Sequence, residues 1–170
     1  MKPRNAPATR GGFTLIELVA AILILSVVGG VFLNRLHFYQ AMAEKASLDY
    51  TLMVLKAGLQ IRLAELIVTN RQADAAELES ENPMQWLSEK PANYLGEYRD
   101  PPERGNWYFD TRQRQLVYVV NNSDYLDAAE VTGTKQLRYK PKLLINQITM
   151  YAASVAAVTG INLVPVTVAN

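Results

Sequence analysis

The sequence predicts an α+β fold in which a long N-terminal helix packs on an antiparallel β-sheet. Three observations predict it. A 21-residue apolar run, Phe13 to Leu33, carries one charge, Glu17. Leucines then recur at spacings of three and four from Leu48 to Leu66. The second half of the chain instead holds short β-branched and aromatic runs separated by turn residues. A helical period followed by a succession of strands is the pattern of α+β chains.

The apolar run comes first. At 1.5 Å per residue it makes a helix of about 31 Å, which matches the hydrocarbon thickness of a bilayer. Lys2, Arg4 and Arg10 precede it and no basic residue lies within it, so the N-terminus is expected on the cytoplasmic side and the bulk of the chain beyond the membrane. Ala41-Met42-Ala43 has the small residues of a secretory cleavage site, but 21 apolar residues with an internal carboxylate are not the short apolar region of a signal peptide. A carboxylate inside such a run costs up to about 3 kcal/mol on insertion scales, so Glu17 calls for a partner.

The helix is expected to continue into water. No proline occurs between Pro7 and Pro83, and helix formers dominate from Gln40 to Glu65, so one helix from Phe13 to about Thr69 would span roughly 85 Å. Leu48, Leu52, Leu55, Leu59, Leu63 and Leu66 form one stripe, read as the face that covers the chain's own sheet. Gly29-Gly30 falls inside the span, either as a packing notch or as a point where the helix opens.

The polar, acidic stretch from Thr69 to Glu81 ends the helix, and Asn82-Pro83 places an N-cap and an N1 proline at the start of a short helix. Lys90 to Gly105, with Pro91, Pro101 and Pro102, reads as loop. Asn106–Asp110 and Gln115–Val120, joined by the polar turn Thr111–Arg114, read as a β-hairpin. Lys135–Ile145 and Ile161–Val168 supply two further strands, each with a proline that marks an edge or a bend.

Composition excludes several chemistries. The absence of cysteine removes disulfides, thiolate catalysis and cysteine-ligated metals, and a single histidine, His37, makes no metal cluster. No catalytic constellation and no cofactor motif appears. The net charge is +1, and beyond Gly12 the chain has 14 basic against 16 acidic residues, which argues against general affinity for nucleic acid. Arg138, Lys140 and Lys142 alternate along one expected strand and share a face; this is a candidate DNA contact, set against a plain solvated sheet face. Oxygen ligands gather between Asn121 and Glu130, but without the glycine and spacing of an EF-hand loop.

The residues around Glu17 resemble a known pattern. A basic leader ending in Gly12, followed by Phe13-Thr14-Leu15-Ile16-Glu17-Leu18 at the head of an apolar run, is similar to the processing site of type IV prepilins and type II secretion pseudopilins. The resemblance covers about twenty residues. It implies cleavage of the Gly12–Phe13 bond by a prepilin peptidase, N-methylation of Phe13, and pairing of Glu17 with the N-terminus of a neighbouring subunit for alignment. It also implies a pilin-like fold, residence in the inner membrane with a periplasmic C-terminal domain, an inner-membrane assembly platform as partner, and no enzymatic activity. The resulting divisions are a cleaved leader at 1–12, a membrane half-helix at 13–33, an amphipathic half-helix at 34–70 and a sheet region at 71–170. The stretches NPMQWL, ANYLGEY and NWYFD resemble minor pilins of the mannose-sensitive haemagglutinin type. The rivals are a signal-anchored periplasmic binding or enzymatic domain, for which the span is only a tether, and a DNA-binding minor pilin.

Overall fold

A computed structural model describes residues 12–122, 126, 128–131, 133–150 and 153–166. Its elements are a helix α1 (Leu15–Val68) and strands β1 (Tyr94–Glu97), β2 (Trp107–Asp110), β3 (Gln115–Val119), β4 (Ala129–Val131), β5 (Thr134–Met150) and β6 (Ala153–Val166). Two 3-10 segments, Gln72–Glu79 and Pro83–Trp86, connect α1 to β1. The chain divides between Tyr39 and Gln40 into two compact units.

In the first unit α1 buries nothing. Apolar side chains stand in the open on every side, among them Ile16, Leu25 and Phe32, each more than 60% exposed. The helix runs unbroken through Gly29-Gly30 and does not open there. Ser26 satisfies its hydroxyl by donating to the Ile22 carbonyl at 2.7 Å, the usual solution for a hydroxyl on an apolar helix.

The second unit holds the core. Leu48, Leu55, Leu59, Leu63 and Leu66 of α1 are buried, and Leu52 is packed beside them. Against them lie Trp107, Leu116, Tyr118, Tyr139, Ile161 and Leu163 from the sheet, with Leu78 and Met84 from the 3-10 segments. The helix ends in a Schellman motif: Asn70 takes φ 57°, its N–H reaches the Ile67 carbonyl, and the Arg71 N–H reaches Leu66. The Asn82 side chain accepts from the Met84 N–H at 3.0 Å with Pro83 in the first turn, as the local sequence predicts. Glu44 ties the helix to the end of β3 by accepting from the Tyr118 hydroxyl and from the Asn121 and Asn122 N–H groups, at 2.7 to 2.9 Å. Burial, then that bond and the charge of Glu44, push the Tyr118 hydroxyl well above the ordinary tyrosine range.

The six-stranded sheet is mixed and not purely antiparallel. Its order is β1-β2-β3-β5-β4, with β6 also paired to β5, and β1 runs parallel to β2. β1 lies inside the stretch read from sequence as loop. It has four residues, a register shift and Gly96 at φ 90°, so little but its pairing with β2 marks it as a strand. β5 and β6 are longer than expected: they pair from Arg138↔Val166 out to Met150↔Ala153. The alanine-rich start of β6 has weak strand propensity, and its pairing with β5 overrides that.

The other face of the sheet carries a smaller cluster, Tyr108, Val117 and Val119, with Tyr98 against it. Arg138 lies here, 7% exposed. It donates to Asp110 at 3.0 Å and to Gln113 and Gln136 at 3.0 Å, and its guanidinium sits 5.5 Å from the Tyr98 ring centroid. Lys140 and Lys142, further along the same face of β5, are exposed. The three cations therefore share a face of the strand but not a solvent-facing patch.

If the leucine stripe is covered by the sheet, a fragment beginning at Gln40 should be soluble and unfold cooperatively. Leu59→Ala should destabilise it by about 2 to 5 kcal/mol in urea titration, whereas Met53→Ala, at an exposed position, should change it by less than about 0.5 kcal/mol. Equal effects, or an insoluble parent fragment, would place the stripe in an intermolecular contact.

Candidate functional site

The residues singled out around Phe13 fall together at the start of α1. Gly12, Phe13 and Thr14 are non-helical and exposed, and helical structure begins at Leu15. Gly11 and the basic leader lie outside the described residues. A Cβ at Gly12 would meet nothing within 4 Å, so this chain's own packing places no demand for glycine there. Any requirement for it is imposed by a molecule that must approach the backbone closely. The Gly12–Phe13 bond is thus an accessible peptide immediately ahead of a helix.

Thr14 and Glu17 form a capping box. Thr14 is the N-cap: its carbonyl accepts from the Leu18 N–H at 3.1 Å, and its hydroxyl accepts from the Glu17 N–H at 3.3 Å. The Glu17 carboxylate reaches back to the Thr14 N–H at 3.4 Å and accepts from its hydroxyl at 3.5 Å. Two unpaired donors of the first turn are answered reciprocally, and the carboxylate sits at the positive end of the helix dipole. The contacts are long, so the box is loose. The Thr-x-x-Glu spacing is present in the sequence, and Thr14 is the site residue that a reading focused on the charge of Glu17 passes over.

This arrangement explains how a carboxylate is tolerated at the head of the apolar run. The helix terminus and Thr14 give it local donors, which lowers the cost of holding it there. Cleavage before Phe13 would add a cation, the new α-amine, four residues from Glu17. An ammonium at a helix N-terminus is opposed by the dipole, and a nearby carboxylate offsets that opposition.

The other candidates separate from this site. Arg138 is buried and paired with Asp110 inside the second unit, whereas Lys140 and Lys142 are exposed. Part of the oxygen-rich loop from Asn121 to Glu130 lies outside the described residues, and the N–H groups of Asn121 and Asn122 are bound to Glu44. No group of three or more metal-ligating side chains occurs among the described residues. His37 is exposed on the first unit.

Residues 8–33 match the family model described as the prokaryotic N-terminal methylation motif. The chain carries the type IV pilin and pseudopilin signature. The match begins ahead of Gly12 and ends at Leu33, so it takes in the accessible bond, the capping box and the apolar run. No curated protein and no solved structure matches the chain. Among the described residues α1 is the one helix long and apolar enough to cross a membrane, and its most apolar window is wholly unburied. The motif implies processing by a prepilin peptidase and assembly with pilin subunits, and the unburied apolar helix fits membrane anchoring.

Replacing Thr14 by Ala should loosen the first turn by about 1 kcal/mol. Amide exchange at Glu17 and Leu18, measured on the protein in micelles, should then speed up by roughly fivefold, and Thr14→Ser should restore protection. Unchanged exchange in Thr14→Ala would show that the box contributes nothing to the helix start.

Proposed function

We propose that this chain is a non-enzymatic structural subunit, a minor pilin or pseudopilin, of a type IV pilus or a type II secretion pseudopilus. The observation that carries the reading is the methylation motif falling on an accessible Gly12–Phe13 bond at the head of an unburied apolar helix. In this reading residues 1–12 are the leader that the prepilin peptidase removes, and Phe13 is N-methylated. Residues 13–33 hold the subunit in the inner membrane with the N-terminus cytoplasmic. Residues 34–70 carry the helix into the periplasm, where 71–170 complete the sheet region. An inner-membrane platform then draws the subunit into the filament, whose core is built from these helices.

Glu17 has a distinct task. Inside a filament the apolar stretches of neighbouring subunits cover one another, and an unpaired carboxylate there is costly, so register is set by placing Glu17 against a neighbour's Phe13 amine. The absence of cysteine departs from major pilins whose C-terminal region is closed by a disulfide, which favours the minor pilin or pseudopilin role.

The nature of the N-terminus tests this. Mass spectrometry of the membrane-resident protein should find a chain beginning at methylated Phe13, and Gly12→Leu should retain the leader. An intact leader on the unaltered protein, or efficient cleavage of Gly12→Leu, would favour a simple signal-anchored domain.

A further inference from the structure

The apolar run ends in a segment of a different kind. Asn34, Arg35, His37, Phe38 and Tyr39 follow Leu33 within the unbroken helix, and Arg35, His37 and Tyr39 are exposed. At about 100° per residue Asn34, His37 and Phe38 lie together with Arg35 and Tyr39 beside them, covering somewhat more than half of the circumference, and Leu36 stands on the remaining side. The Phe38 and Tyr39 rings meet edge to face at 5.7 Å. Apart from Glu17 the preceding 21 residues are apolar on all sides, so the change is from an all-round apolar cylinder to one that is polar and aromatic over more than half of its circumference. Cationic and N–H donors beside aromatic rings, at the end of a bilayer-length run, complement lipid phosphates and the headgroup boundary.

We propose that this collar binds phospholipid headgroups on the far side of the membrane and, with Glu17, fixes the depth of the processed helix. The proposal rests on the membrane anchoring stated above. Glu17 and Arg35 are 18 residues apart, about 27 Å along a helix, close to the hydrocarbon thickness of about 30 Å. With the collar among the headgroups, Glu17 lies at the opposite boundary and not in the bilayer interior. The two ends oppose opposite movements. Inward slip drives Arg35 and His37 into hydrocarbon, and outward slip does the same to Glu17. Cleavage at Gly12 removes Lys2, Arg4 and Arg10 from the cytoplasmic end, so in the processed chain resistance to outward movement falls to Glu17 and the new α-amine of Phe13. Outward movement is resisted until Glu17 acquires a cationic partner, so pairing and release from the membrane are coupled.

The chain has no cysteine, so single cysteines from Val19 to Leu36 can each carry a fluorescent label without competition. The processed full chain is placed in vesicles of phosphatidylethanolamine and phosphatidylglycerol with brominated acyl chains, and quenching is read at each position. The deepest position should lie near Ser26, midway between Glu17 and Arg35. In Arg35→Leu/His37→Leu/Tyr39→Leu it should move C-terminally by roughly three residues, about 4 to 5 Å. Arg35→Lys alone should keep the original profile. An unchanged deepest position in the triple variant would overturn the collar while leaving the anchoring intact. Absence of quenching at every position would overturn the anchoring and the collar with it.

Discussion

A carboxylate at the head of a bilayer-length apolar run is the constraint around which this chain is organised. Charged groups leave water only with compensation, and Glu17 is the one charge in residues 13–33. Within the chain it obtains loose compensation from Thr14 and the helix terminus. That suffices at a membrane boundary, where water and headgroups supply the rest. Among packed helices, the environment proposed for the filament, a neighbour's cation would supply the missing compensation. One residue can therefore be tolerated in one environment and demand a neighbour in another.

The two units divide the labour according to what each buries. The first exposes apolar side chains on every side of α1, which is stable only in lipid or among other such helices. The second has its own core, in which the leucine stripe of the same helix meets Trp107, Tyr118 and Tyr139. Glu44 and Glu79 add specific ties by accepting backbone N–H groups of the sheet region, Glu44 at Asn121 and Asn122, and Glu79 at Leu143. These bonds hold a helix and a sheet in register where apolar packing alone is not directional.

Features set by local chemistry were legible in the sequence, and features set by distant partners were not. The leucine stripe, the helix stop near Asn70 and the cap at Asn82 depend on residues a few positions apart, and each appears where the local pattern puts it. The Thr14–Glu17 box was equally local but hidden behind the question of charge. β1 was hidden because four residues among prolines become a strand only when β2 lies beside them. The burial of Arg138 was hidden for a similar reason. Alternation with Lys140 and Lys142 places all three on one face, but Asp110, 28 positions earlier, and Tyr98 turn the first of them into an interior ion pair. Alternation identifies a face of a strand, not what lies over it.

The central claim is that Glu17 acts after processing, between subunits. Its most direct measurement is the fate of Glu17→Val, counted as cleaved chain in membranes and as subunit in sheared filaments. The account expects normal cleavage at Gly12–Phe13, undiminished retention in the membrane and sharply reduced incorporation. Incorporation of Glu17→Val at the level of the unaltered chain would contradict it.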